Sequence, residues 1–324
     1  MNVRPFDWRD LPTLHRCRNQ GLFLDSALLL TRRPSLIPTG ALLNYFAPTT
    51  GIYTFVGDGD GSANGSILGQ VTYSAGSQVA HLSFLAPEEA FLSPEAEVEP
   101  LIERMSIEVA ERGGMFIVAE TYESHPAFDL LRRAGFAVYT RQRFWQLNVP
   151  PAVAAPESAW RPFQDRDLIP VRSLYNNLVP GLIQQVQPPP SGKLKGLVCY
   201  QGDDLLGFIE LQHGPRGILA QPFIHPNAES LPASMLPLLE SLPERGARGM
   251  YLCVRSYQSW LETALYDAEA QPSPLNALMV KRLVVSRRAE QPVAIPALDG
   301  TRIEPIARIE RKEPSGSAPT KNGT

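Results

Sequence analysis

Hydrophobic and polar positions along this chain alternate in a way that predicts strand, helix, meander, helix, strand, helix, strand, and then predicts the same order again. In the first pass Asn2–Phe6 reads as a short strand, with Asp10 capping the helix that follows. Ile52–Val56 and Ile67–Tyr73 read as a hairpin with Ile67, Val71 and Tyr73 on one face, and Val79–Leu85 reads as a further strand. Leu101, Ile102, Met105 and Val109 form a helical stripe that Gly113 and Gly114 end. Met115–Glu120 is a continuous apolar strand, Pro126 opens a helix that Gly135 closes, and Phe144–Val149 is the last strand. The second pass reads Leu197–Gln201, Leu205–Gln212 and Ile218–Ile224 as strands, a helix near 235–242, strand Met250–Arg255, a helix near 260–267, and strand Leu278–Val285.

The repeat is visible in the residues themselves. RPFDWRDL begins at Arg4 and RPFQDRDL at Arg161, an offset of 157. GMFIVAETYES begins at Gly114 and GMYLCVRSYQS at Gly249, an offset of 135. FLAP ends at Pro87 and FIHP at Pro226. Three blocks in one order with shrinking offsets mean duplication followed by loop deletion in the second copy. The expected organisation is a domain at 1–148, a stiff Pro/Ala linker at 149–158, a second domain at 159–288, and an extension with a disordered tail at 289–324.

Composition adds limits. The chain has 324 residues, 44% hydrophobic and 19% charged, with a net charge of −3. That excludes a strongly basic surface for nucleic acid or for an anionic membrane. No apolar run approaches the ~20 residues of a membrane helix, and the N-terminus has no signal-peptide core, so a cytoplasmic location is expected. Cys17, Cys199 and Cys253 are scattered and read as buried thiols. No metal is expected: His81 and His225 have no partner at ligand spacing, and GDGDGSANG from Gly57 has Ala63 and Gly69 where a calcium loop needs Gly and Glu.

The order of elements, with HPAFDLLRRAGF at 125–136 and the aliphatic-x-Pro endings Leu85-Ala86-Pro87 and Ile224-His225-Pro226, resembles the GNAT superfamily of acyl-CoA-dependent N-acetyltransferases. The resemblance implies an α/β (α+β) fold of two tandem domains, each a mixed twisted sheet flanked by helices and packed on the other. It implies acetyl-CoA or another acyl-CoA as co-substrate and a small-molecule or peptide amine as acceptor. It also implies a Gln/Arg-x-x-Gly-x-Gly loop after that proline, whose N–H groups hold the CoA pyrophosphate. Both copies depart from this pattern. The first reads EEAFLSPEAEVEP from Glu88 and the second NAESLPASM from Asn227, neither with glycine.

The first loop carries Glu88, Glu89, Glu95, Glu97 and Glu99, which repel polyphosphate; the second carries only Glu229. A CoA site is therefore expected at Asn227, Ala228, Glu229 and Ser230. The family's thiolate-protonating tyrosine corresponds to Leu131 in the first copy and to Tyr266 in the second. Arg255 replaces Glu120 at the matching strand end, and Glu120, Glu123 and Glu210 lie at or near strand ends, where a carboxylate serves either as a general base or as a solvated or paired surface charge. Two functions fit these residues. One is an N-acyltransferase working in its C-terminal copy, with Tyr266 as the acid. The other is a non-catalytic GNAT-like binding or regulatory protein that has lost CoA binding.

Overall fold

The computed structural model describes residues 1–17, 19–32, 51–58, 66–92, 98–147, 159–228, 230–242 and 245–283. They all fall within one compact unit, Met1–Val285. The linker at 149–158, the Gly-rich tip at 59–65, Glu95, Glu97, Glu229 and the extension at 289–324 lie outside the described residues.

The N-terminal half runs β1 (Asn2–Pro5), α1 (Leu11–Cys17), β2 (Leu22–Phe23), α2 (Ser26–Thr31), β3 (Ile52–Asp58), β4 (Ile67–Tyr73) and β5 (Val79–Ala86). It continues with α3 (Glu88–Leu92), α4 (Glu99–Glu111), β6 (Phe116–Tyr122), α5 (Ala127–Arg133) and β7 (Ala137–Leu147). The C-terminal half runs β8 (Trp160–Pro162), α6 (Leu168–Leu178), α7 (Gly181–Val186), β9 (Gly196–Gln201), β10 (Asp204–His213) and β11 (Gly217–Ile224). It ends with α8 (Leu231–Glu240), β12 (Gly249–Arg255), α9 (Glu262–Asp267), β13 (Gln271–Pro272) and β14 (Asn276–Arg282). The two halves are tandem copies of one α/β unit, as the sequence implies.

The repeated RPF--RDL block is a structural clip. Arg4 donates from both terminal nitrogens to Asp10 at 2.7 Å, and Arg161 does the same to Asp167 at 2.7 Å. The same carboxylates accept the N–H of Asp7 and of Gln164, at 2.8 and 2.9 Å, closing the turn into the first helix of each copy. Asp10 is therefore not the expected helix cap. Asp7 caps a 3-10 turn over Trp8–Asp10, and the carboxylate of Asp10 is held by Arg4. The apolar stripe of α4 behaves as its spacing requires: Leu101, Ile102, Met105 and Val109 are all buried. Each such side chain contributes about 1.5–3 kcal/mol by leaving water. The chain then turns at Gly113, whose φ of +93° suits glycine.

All strands join one mixed sheet in the order β1-β3-β4-β5-β6-β14-β7-β12-β11-β10-β9-β8, with β2 on β5 and β13 on β7. The copies exchange their last strands. The C-terminal strand β14 inserts between β6 and β7 of the first copy, pairing Leu278 with Glu120 and with Thr140. The long β7 crosses over in return: residues 137–142 pair with β14, and residues 142–147 pair with β12. Gln142 is the crossover point, opposite both Asn276 and Arg255. The last strand of the first copy thus begins at Ala137 rather than at the expected Phe144. Residues 137–143 carry two exposed or half-exposed arginines and lack an apolar face, and pairing on β14 makes them a strand.

Each copy has a core completed by the strand it receives, Ala277 and Met279 of β14 in the first and Trp145 and Leu147 of β7 in the second. Phe55, Leu85, Met105 and Leu131 belong to one, and Ile209, Met235, Leu252 and Leu265 to the other. A smaller cluster of Phe144, Leu219 and Cys253, with Ala27 and Leu30 of α2 against it, packs across the seam. The α2 backbone comes so close to the β10–β11 turn that a Cβ at Gly214 would lie 2.2 Å from the Thr31 carbonyl oxygen. Arg216 N–H donates to that oxygen at 3.0 Å.

Candidate functional site

In each copy two parallel strands pair at one end and then part. In the first, the ladder holds from Val79–Phe116 to His81–Val118; in the second, from Gly217–Gly249 to Ala220–Leu252. Beyond these pairs the strands form a fork, where backbone groups are left for another partner.

The first fork is filled by the chain itself. Leu22 and Phe23 pair with Leu85 and Phe84 on one arm. Leu24 donates its N–H to Ser83 at 3.1 Å and accepts the N–H of Glu120 from the other arm at 2.8 Å. Glu88 N–H reaches the Gln20 carbonyl at 2.7 Å. Leu24 is only 1% exposed. At Gly21 a Cβ would stand 2.0 Å from the Phe84 ring, so the insert needs glycine there.

The second fork is bridged differently. A 3-10 turn over Ser256–Leu261 follows β12, and Gln258, 2% exposed, donates from Nε2 to the Ile224 carbonyl at 3.3 Å. Ile224 therefore turns its backbone groups toward the fork, and so does Pro222 two residues earlier. Pro222 has no N–H to offer there.

Of the expected CoA-site residues, Asn227 and Ser230 are exposed and Ala228 is buried, while Glu229 lies outside the described residues. Three N–H groups of this loop have partners within it. Asn227 N–H donates to His225 Nδ1 at 3.2 Å, Ala228 N–H to the His225 carbonyl at 2.9 Å, and Leu231 N–H to the Ala228 carbonyl at 3.1 Å. Pro232, in the first turn of α8, has none to give. Tyr266 sits on α9, 56% exposed, edge-on to the buried Trp145 at 4.7 Å between ring centres. An Arg143–Glu262 ion pair of 2.7 Å ties that helix to β7.

Between the copies lies a cavity of about 570 Å³, walled by both. Glu120 enters from β6, Glu210 from β10, Arg255 from β12 and Gln142 from the crossover. Glu120 and Arg255 are the matching positions of the two GM blocks, so duplication followed by substitution has set opposite charges on one cavity. Among the described residues, Tyr266, Asn227, Ala228 and Ser230 are not part of its wall. Glu123 faces away, paired to Arg141 at 2.7 Å.

The charges here are poorly solvated. Burial pushes the Glu120 carboxyl above its ordinary range and Asp25 adds to the rise, while Arg255, a 3.4 Å hydrogen bond from Ser26 N–H and His81 oppose it. Gln142 Nε2 donates to Glu120 at 2.8 Å. Glu210 is raised by burial, with Arg255 again opposing. Arg255 is 7% exposed, and its Nε and Nη1 are buried with no hydrogen-bond partner. Burial pushes the Cys253 thiol up to about 12, and its S–H donates a hydrogen bond to Gln142 Oε1 at 3.1 Å, which favours the protonated thiol.

The sequence marks Arg255 and Glu120 as a charge reversal at matching strand ends and Glu210 as a carboxylate near a strand end. It does not mark Gln142 or the shared cavity, because both depend on β7 crossing between copies. Among the described residues no helix is long and apolar enough to cross a membrane. Among them, no group of three or more His, Cys, Asp or Glu side chains is placed to hold a metal ion.

No family model matches the chain, and no curated protein matches it. Solved structures do. A GCN5-related N-acetyltransferase from Sphaerobacter thermophilus superposes with a TM-score of 0.52 at 12% identity, covering 87% of this chain and 95% of that one. An acetyltransferase described as such from Pyrococcus horikoshii gives 0.50 at 10% identity, over 88% and 90%. A tandem GNAT protein from the clavulanic acid biosynthesis pathway gives 0.50 at 12% identity, over 87% and 98%. The fold of this chain is the GNAT fold in tandem.

Proposed function

We propose that this chain is a binding protein built on the tandem GNAT fold, which takes a small polar molecule at the seam of its copies and does not transfer acyl groups from acyl-CoA. The observation that carries this reading is the first fork, where Leu22–Leu24 hydrogen-bond to both arms and take the space that a ligand in the fork needs. Gln258 across the second fork, and the internally bonded N–H groups of Asn227, Ala228 and Leu231, support it on the other side. On this reading the described residues of the two copies act as one body joined by exchanged strands, in the cytoplasm. The test is calorimetric titration of the full chain with acetyl-CoA. No binding at millimolar concentration is expected, and micromolar binding overturns the reading.

A second reading has its own support. The fold is one of N-acetyltransferases, and Tyr266 is half-exposed with its ring packed on Trp145. An acyl-CoA-dependent N-acyltransferase would then work in the C-terminal copy. Asn227, Ala228, Glu229 and Ser230 would take the pyrophosphate, Tyr266 would protonate the leaving thiolate, and an amine would be the acceptor. The same titration decides between the two. Under this second reading, Tyr266→Phe removes turnover and leaves CoA affinity within a few-fold.

A further inference from the structure

We infer that the seam cavity is a site for a zwitterionic small molecule of the amino-acid class, its carboxylate received by Arg255 and its ammonium by Glu120 and Glu210. This rests on the reading of the chain as a binding protein. Four observations lead to it. First, Arg255 is buried, lines the cavity, and has two donors without an acceptor. An unpaired buried guanidinium is costly, and a carboxylate is the group that relieves it best. Second, Glu120 and Glu210 line the same space, and among the described residues neither forms an ion pair, although the charge of Arg255 acts on both. Third, the wall carries Asp25, Glu120 and Glu210 against Arg32 and Arg255. A phosphate or dicarboxylate would meet three acids, whereas a zwitterion presents one charge to each side. Fourth, about 570 Å³ is the size of an ordinary small-ligand pocket and leaves room for a side chain beside the two head groups. Val79, Val118 and Leu219 supply an apolar wall for it.

The site also explains the duplication chemically. Two copies of one fork would carry the same group at Glu120 and Arg255 and would suit a symmetric ion. Opposite groups suit a molecule with opposite ends. Tyr175 and Gln187 also line the cavity, and the Tyr175 hydroxyl donates to the Gln187 carbonyl at 2.6 Å.

The experiment is thermal unfolding of the full chain with each standard amino acid, with the corresponding decarboxylated amines and deaminated acids, and with inorganic phosphate and acetyl-CoA. At roughly 100-fold over its Kd, one or more amino acids should raise Tm by about 5–10 °C. Neither the matching amine nor the matching acid should do so. Arg255→Met should remove the shift while keeping the fold, since a buried unpaired charge is replaced by an apolar stem of similar length. Glu210→Gln should weaken it at least ten-fold. If no amino acid shifts wild type, or if phosphate or the deaminated acid alone does so, the zwitterion site is wrong. The same holds if the shift survives in Arg255→Met. A shift by acetyl-CoA instead overturns the binding-protein reading beneath it.

Discussion

The two copies agree at their beginnings and disagree at their forks. The Arg4–Asp10 and Arg161–Asp167 clips match to 2.7 Å in every charged contact. One fork is sealed by backbone pairing from Leu22–Leu24, and the other is spanned by one side chain, Gln258. A clip that sets the angle between strand and helix is needed by any descendant of the fold. A fork is needed only by a protein that puts a ligand in it. The N-terminal copy has given its fork to its own chain, and the seam has gained a cavity that neither copy holds alone.

The largest expected effect comes from breaking a clip. Asp10→Ala and Asp167→Ala should each lower Tm by roughly 5–10 °C, because each removes two charge-assisted hydrogen bonds and opens the turn that the carboxylate holds. The second clip also has a pH signature. The Arg161 hydrogen bonds, outweighing burial, hold Asp167 at about 2 against an ordinary 3.8. Its contribution is present above pH 3.8 and is lost as pH falls through 2. The Tm difference between wild type and Asp167→Asn should therefore be full at neutral pH and shrink toward pH 2.

Next in size is the closed fork. Gly21→Val places a side chain inside the Phe84 ring, and Leu22–Leu24 must lift from Ser83 and Glu120. A loss of about 2–4 kcal/mol is expected in denaturant melts, comparable to overpacking plus two hydrogen bonds. Gln258→Ala, on the other copy, removes one hydrogen bond and should cost about 1 kcal/mol. Equal losses at the two positions would mean that the forks are closed to the same degree.

The smallest effect lies in the cavity and has the opposite sign. Burial raises the Glu210 pKa from 4.5, so the native state holds that proton more tightly than the unfolded chain does. Stability tied to that proton is full below 4.5 and is lost as pH rises through the folded value. Glu210→Gln, neutral at every pH, should therefore melt slightly above wild type near pH 8 and level with it near pH 4.

Much of the fold was legible because it is local. RPF--RDL, the GM blocks and the α4 stripe each encode one element with near neighbours, and the elements fall where the pattern puts them. What failed was long-range. Ala137–Arg143 has no apolar alternation and becomes a strand only because β14, more than 130 residues away, pairs with it. The two-residue strand Leu22–Phe23 is too short to leave a periodic signal, and it closes a fork through partners at 83–85 and 120. For the same reason Arg255 and Glu120 were readable as a charge reversal but not as two walls of one cavity.

Hydrogen exchange at the Leu24 and Glu120 amides, with and without saturating acetyl-CoA, tests the closed fork most directly. Both N–H groups lie inside the fork, bonded across its arms. The account expects both to exchange as slowly as the amides of the β5 and β6 ladders, and at rates unchanged by acetyl-CoA. Fast exchange at either amide in the free protein, or a change at both when acetyl-CoA is added, would show that the fork opens to a ligand and would contradict it.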